Sequence, residues 1–269
     1  MQITKSELQE FQRYFLLTKQ FNKLFGIGAN KTGTTTLACI AKKIYGLKTK
    51  QRPGVATIHQ LIGGNYSGFI DHMNCHDFHQ DVPASIKSFY VAMDALFPNS
   101  KFILTIRNSE EWFESFFEFY CKRVIGAYVD SKYSKQDHPL FRGHDKRWFY
   151  YSYKYELNSL SDLKTTQYEN FTSLKNKILS TQFREKCISN YENRNREIQD
   201  YFEKRPQDLL VLDISDKNLC EKMNIFLGID AKAVIYRTPH KNSRTSQKEF
   251  SNKSIIDGLI IDKNIFNNL

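Results

Sequence analysis

Lys23-Leu-Phe-Gly-Ile-Gly-Ala-Asn-Lys-Thr-Gly-Thr-Thr-Thr-Leu37 carries three structural signals in one short run. Lys23 to Gly28 is a brief apolar stretch closed by glycine, the pattern of a buried strand. Ala29 to Thr36 is a turn of small and hydroxylated residues around Gly33. Leu37 to Tyr45 then has a helical pattern. Strand, glycine-containing turn and helix in that order open an α/β nucleotide fold. A turn of this kind binds phosphate because N–H groups of the first helical turn and the positive end of the helix dipole converge on an anion. Lys31 adds a full charge, and Thr32, Thr34, Thr35 and Thr36 add hydroxyl donors beside Asn30 and Gly33.

The turn is not a Walker A loop, which needs a lysine directly after its second glycine, since Lys31 precedes Gly33. No Gly-Lys-Ser or Gly-Lys-Thr occurs anywhere, which weighs against an ordinary ATP- or GTP-dependent kinase. A dinucleotide fingerprint fails as well, because Lys31 stands where the third glycine would fall after Gly26 and Gly28.

Outward from this run, a second unit repeats the strand-to-helix theme. Residues 86–97 have a helical pattern, Pro98-Asn-Ser makes a turn, and Lys101-Phe-Ile-Leu-Thr-Ile-Arg107 is a strand. Asn108 and Ser109 then cap a helix that has Glu110 and Glu111 in its first turn, where the dipole favours acids. A long charged helix over about 181–204 leads to a third strand, Leu209-Leu-Val-Leu-Asp213, and Asn218 to Leu227 forms a further helix ended by Gly228. Ile3, Leu8, Phe11, Phe15 and Leu16 predict an amphipathic N-terminal helix within residues 1–21. Residues 124–170 keep no clean period and read as an irregular excursion, a common place for substrate contacts. Helices separating strands predict a mostly parallel, doubly wound sheet flanked by helices, a P-loop-like nucleotide fold. No linker divides the 269 residues, so a single domain is expected.

Composition narrows the function classes. Apolar residues make up 41% and aromatics 14%, enough for a core and too much for a disordered chain. No apolar run approaches the ~20 residues of a membrane-spanning helix, and the N-terminus lacks the apolar core of a secretory signal. The five cysteines, at 39, 75, 121, 187 and 220, are scattered and never form a CxxC pair, as expected in a reducing cytoplasm. A net charge of +10 and a pI near 9.2 admit nucleic acid, an anionic membrane surface or a small anionic ligand. The basic residues are dispersed rather than striped, and no helix-turn-helix, RNP or zinc-finger pattern accompanies them. Neither nucleic acid nor membrane is therefore the expected partner.

The segment from Gly28 to Leu37 resembles the 5′-phosphosulfate loop of the sulfotransferase family. That family transfers a sulfuryl group from 3′-phosphoadenosine-5′-phosphosulfate (PAPS) and releases adenosine 3′,5′-bisphosphate (PAP). A second motif is similar to the family's 3′-phosphate site, an arginine at a strand end with a serine eight residues on: Arg107 and Ser115. Arginine offers phosphate a planar fork, and a serine about two turns into the helix adds a hydroxyl. Alone, Arg107 would read as a helix-capping or surface arginine; two motifs in the right order change that. Similarity continues through Asp81-Val-Pro, Phe97-Pro-Asn, Tyr201-Phe with Leu209 to Leu212, Phe226-Leu-Gly228 and Pro239-His-Lys-Asn242, spanning about residues 22–245 of a microbial and broadly distributed branch. The cytosolic branch's Arg-Lys-Gly loop is absent; Arg237, Lys241, Asn242 and Arg244 are the residues that stand in its place.

The resemblance implies that Lys31 contacts the transferring group and the bridging oxygen, with Thr34 and Thr35 on the 5′-phosphate. It puts Asp81 where related enzymes have a histidine base ahead of the 3′-phosphate strand. Asp81 is equally well placed to cap the helix after Pro83, and the two roles are compatible. His79 is a second candidate base. His72, His76 and His79, spaced four and three apart, would share one face of a helix as metal ligands, but no HExxH or CxxC supports a metal and none is expected. Trp112, Phe113, Phe116 and Phe117 read as core, whereas Trp148 to Tyr151 and Tyr153 suit either packing or an acceptor pocket. The resemblance thus implies a sulfotransferase acting on a small-molecule acceptor. Its competitors are a polyanion-binding module without catalysis and a non-Walker nucleotide-dependent kinase.

Overall fold

A computed structural model describes residues 4–51, 64–80, 89–117, 180–213, 215–229, 234–236 and 259–261. In chain order its elements are α1 (Lys5–Thr18), β1 (Leu24–Gly26), α2 (Thr34–Lys43), β2 (Thr49–Gln51), α3 (Tyr66–Asn74), β3 (Phe78–Gln80) and α4 (Phe89–Leu96). There follow β4 (Lys101–Ile106), α5 (Ser109–Phe116), α6 (Thr181–Phe202), a 3-10 turn (Pro206–Asp208), β5 (Leu209–Asp213), α7 (Leu219–Phe226), β6 (Val234–Tyr236) and β7 (Leu259–Ile261). Strands one to five form a single sheet in the order β2-β3-β1-β4-β5, every neighbouring pair parallel. β6 and β7 make a separate antiparallel pair, Val234 opposite Ile261.

Side-chain alternation along the strands divides the core between the two faces of the sheet. Leu24 of β1 and Ile103 of β4 join Phe11 and Phe15 of α1, Leu37 and Ile40 of α2, and Leu219 and Met223 of α7. Phe25, Phe102 and Leu104 point the other way, into Phe69 and Met73 of α3, Met93 of α4, and Ile198 and Phe202 of α6. Phe25 and Phe102 stack at 5.3 Å with planes 23° apart, and Phe102 meets Phe202 at 4.9 Å. Helices on both faces of a parallel sheet are the doubly wound architecture expected from the sequence.

Three strands were legible from apolar runs. β2 and β3 were not, being three residues long and polar in part, and α3 fell within a stretch with no assigned structure. The histidines separate accordingly. His72 lies in the last turn of α3, His76 just after the helix, and His79 is the middle residue of β3, so the three do not share a helix face.

Strand order fixes where a ligand can sit. The crossover from β1 runs toward β2, whereas that from β4 runs toward β5, so a crevice opens between the carboxyl ends of β1 and β4. Lys31 and Arg107 leave the sheet at those two ends.

Candidate anion-binding site

The loop from Ile27 to Gly33 is shaped by close approach to its neighbours. A Cβ on Gly28 would lie 1.9 Å from Thr105 Oγ1, and one on Gly26 would lie 2.5 Å from Gln80 Oε1. Only glycine lets the end of β1 run this close to β3 and β4. Thr32, 2% exposed, locks the turn from inside: its hydroxyl donates to Ala29 O at 2.6 Å and lies 2.7 Å from Thr105 Oγ1. That hydroxyl therefore serves the loop rather than the crevice.

Backbone geometry suits an anion. Lys31 has φ 74° and Gly33 φ 89°, both left-handed, a feature of the tight turns that gather backbone N–H groups around an anion. For Lys31 this is a strained conformation of the sort that persists at functional positions. Gly33 is the N-cap of α2, and no side chain caps the helix and no acid sits in its first turn. Two neighbouring helices are closed by side chains, whereas α7, which also lacks a side-chain cap, has Glu221 in its first turn. Asn108 Oδ1 accepts from Glu110 N and Glu111 N at 3.1 and 3.2 Å, and Ser180 caps α6 through Phe183 N. The N-terminus of α2 is thus built for negative charge from outside the helix.

Arg107 follows β4 directly. Its Nε donates to Glu111 Oε2 at 3.1 Å, one turn into α5, and among the described residues its Nη atoms make no hydrogen bond. Ser115 lies four residues beyond Glu111, on the same face of α5 and half-buried. The two sequence motifs are therefore brought to neighbouring strand ends, Lys31 after β1 and Arg107 after β4.

Contacts that the sequence did not reveal hold these parts together. Trp112 Nε1 donates to Asn30 O at 2.9 Å, Arg194 Nη2 donates to Ile27 O at 2.7 Å, and Tyr191 OH bonds both backbone groups of Arg107. The only hint was Trp112 itself, because a buried indole N–H nearly always finds an acceptor. Gln80, fully buried at the end of β3, has no hydrogen bond on either amide atom among the described residues, a polar group left unsatisfied beside the loop.

His79 is placed unfavourably for a base. It is fully buried, its Nε2 lies 2.9 Å from Met73 O, and its ring stacks on Phe25 at 5.7 Å. Burial, only partly offset by the Met73 carbonyl and reinforced by Lys23, lowers its pKa to about 4. His79 thus belongs to the interior behind β3. Asp81 and Asn242 lie outside the described residues, as does 124–170. Among the described residues no group of three or more His, Cys, Asp or Glu side chains is arranged to hold a metal, and no helix is long and apolar enough to cross a membrane.

Comparison of the sequence with curated proteins finds no match. A family model described as "Sulfotransferase domain" matches residues 23–246, which run from the first residue before β1 to beyond β6 and take in both anion motifs. Covering most of the chain and the whole parallel sheet, that match shows that the protein belongs to the sulfotransferase domain family.

Proposed function

We propose that this sulfotransferase uses PAPS as donor and transfers its sulfuryl group to a hydroxyl or nitrogen of a small-molecule acceptor, releasing PAP. The observation that supports this most is the uncapped, acid-free N-terminus of α2 under a loop with positive φ at Lys31 and Gly33, one strand away from Arg107. Two anion sites at adjacent strand ends suit one nucleotide with phosphates at both ends.

In this reading the acceptor atom attacks sulfur in line with the bridging oxygen. The new bond forms as the S–O bond to the 5′-phosphate breaks, its electron pair leaving on the phosphate oxygen. Lys31, Gly33 and the first-turn residues Thr34, Thr35 and Thr36 neutralise that growing charge, and an oriented donor of this kind is worth about 10²–10³ in rate. Thr32 and Asn30 contribute through the shape of the loop. Arg107 and Ser115 hold the 3′-phosphate and thereby fix the nucleotide's span. The acceptor's proton passes to the carboxylate of Asp81, the residue directly after β3. Asn242 replaces a contact of the missing Arg-Lys-Gly loop. The setting is cytoplasmic, with neither nucleic acid nor membrane as partner.

Calorimetric titration with PAP, followed by transfer from labelled PAPS into a metabolite extract, tests the reading. Retention of PAP and a labelled product are expected; a folded protein that binds neither PAP nor PAPS would sink it.

A further inference from the structure

The two anion segments sit on different elements, and one pair of aromatic rings ties them together. We propose that Tyr191 and Trp112 are positioning residues: a brace from α6 through α5 that holds the Arg107 backbone and the phosphate loop in one relative geometry. The proposal rests on the anion-binding roles given above to Lys31 and Arg107.

Each link is a short, directional contact between buried groups. Tyr191, 4% exposed, accepts from Arg107 N at 2.9 Å and donates to Arg107 O at 3.0 Å, so one hydroxyl satisfies both backbone groups where β4 ends. Its ring lies on Trp112 with centroids 4.2 Å apart and planes 8° from parallel. Trp112, 1% exposed, donates from Nε1 to Asn30 O at 2.9 Å. That carbonyl belongs to the same rigid peptide as Lys31 N–H, so fixing its direction fixes the N–H on the opposite side. The strained φ of 74° at Lys31 is therefore held from its preceding peptide.

One turn along α6 from Tyr191, Arg194 Nη2 reaches Ile27 O at 2.7 Å. The helix thus grips the loop at its start through Arg194 and, by way of Trp112, just before Lys31. Ordinary core packing would account for the stacked rings. It does not account for three side chains making four hydrogen bonds that all end on the backbone of the two segments the ligand would span. A brace predicts that loosening one end loosens the other, whereas packing predicts only a loss of stability.

The test uses Tyr191→Phe, which keeps the stacked ring and removes the hydroxyl. In the ligand-free protein, amide hydrogen exchange across residues 28–36 should quicken at least about fivefold while β1 and β4 keep their protection, as expected for local opening. PAP binding should weaken about tenfold, the net worth of a buried hydrogen bond. Binding of adenosine 5′-phosphate, which lacks the group Arg107 would hold, should weaken by a similar factor. Unchanged exchange in the loop, or weakened PAP binding with adenosine 5′-phosphate binding intact, overturns the brace. If wild-type protein binds neither nucleotide, the donor assignment falls and the exchange comparison alone still decides the brace. Should Tyr191→Phe fail to fold, Trp112→Phe, which keeps an aromatic ring and removes the bond to Asn30, carries the same measurements.

Discussion

Thr32 and Thr105 meet hydroxyl to hydroxyl at 2.7 Å in the interior, one in the anion loop and the other in β4. Thr105 is fully buried and Thr32 is 2% exposed, so the pair is shielded from solvent. Because the Thr32 hydroxyl also donates to Ala29 O, it is the Thr105 hydroxyl that donates across to Thr32. One loop side chain thereby sets both the internal turn and its distance from the neighbouring strand.

Replacing Thr32 by Val should cost about 1–3 kcal/mol, because it leaves the Thr105 hydroxyl buried without its partner and the Ala29 carbonyl with only the long bond from Thr32 N at 3.4 Å. Thr105→Val should cost less, since Ala29 keeps its donor. The double variant should be less destabilised than the two single losses added together. Urea unfolding of all four proteins checks this; strict additivity would mean that the two hydroxyls do not interact.

Gly28→Ala tests the loop's closeness to the sheet. The new methyl would lie 1.9 Å from Thr105 Oγ1 and 2.7 and 2.8 Å from the Thr105 backbone oxygen and nitrogen. Two of these three atoms are main chain, so the strand must move, at a cost of about 1–3 kcal/mol or more. Trimming the side chain in Gly28→Ala/Thr105→Ala should restore only part of the stability. Full restoration, read from melting curves, would place the constraint in the Thr105 side chain alone.

How much of this was visible in the sequence follows from where each signal resides. The strand-turn-helix around Lys31 is local: apolar run, glycines and hydroxyls sit within one stretch, and the structure keeps them in that order. Asn108 with Glu110 and Glu111 was legible for the same reason, since a cap and its helix are neighbours in sequence. Thr49-Lys-Gln and Phe78-His-Gln have no alternation to read, yet both join the sheet, and the second is buried on both faces. Tertiary context outweighs propensity at that length. Leu16 was expected on the buried face of α1 and is 37% exposed, one residue past Phe15 on the helix wheel. Trp112 was correctly read as core, but its acceptor at Asn30 lies 82 residues earlier and Tyr191 still further along the chain, beyond any local pattern. Thr105 was counted as one more strand residue; only the sheet register shows that it faces the loop.

Stability should fall as pH is lowered from neutrality toward 4, and His79 supplies a large part of the fall. Folded, its pKa is about 4 because burial disfavours the imidazolium; unfolded, it returns to the ordinary 6.5. Between these values the unfolded chain binds a proton that the native chain does not, so protons favour unfolding, by about 3 kcal/mol in all. His76, also lowered by burial, acts in the same direction. Urea unfolding at pH 7, 5.5 and 4 should therefore show a declining free energy, and His79→Leu should flatten most of the decline. A variant with the wild-type pH slope would assign the loss to other groups.

Lys31 separates conformational cost from electrostatic use, and two substitutions distinguish them. With φ at 74°, any residue with a Cβ is disfavoured there by about 1–2 kcal/mol relative to glycine. Lys31→Gly should therefore be more stable than Lys31→Ala by about 1 kcal/mol, because both lose the same ammonium and differ in backbone preference. Sulfuryl transfer should fall about hundredfold or more in both, since neither supplies charge to the leaving phosphate. The comparison between variants matters more than either one against wild type, because it cancels whatever the lysine side chain contributes to the fold. Equal melting temperatures for Gly and Ala at position 31 would remove the strain. Near-wild-type transfer in either variant would move the electrophilic role from Lys31 to the backbone of α2's first turn. In a sulfotransferase that uses this loop as proposed, the more stable of the two proteins is still an inactive one.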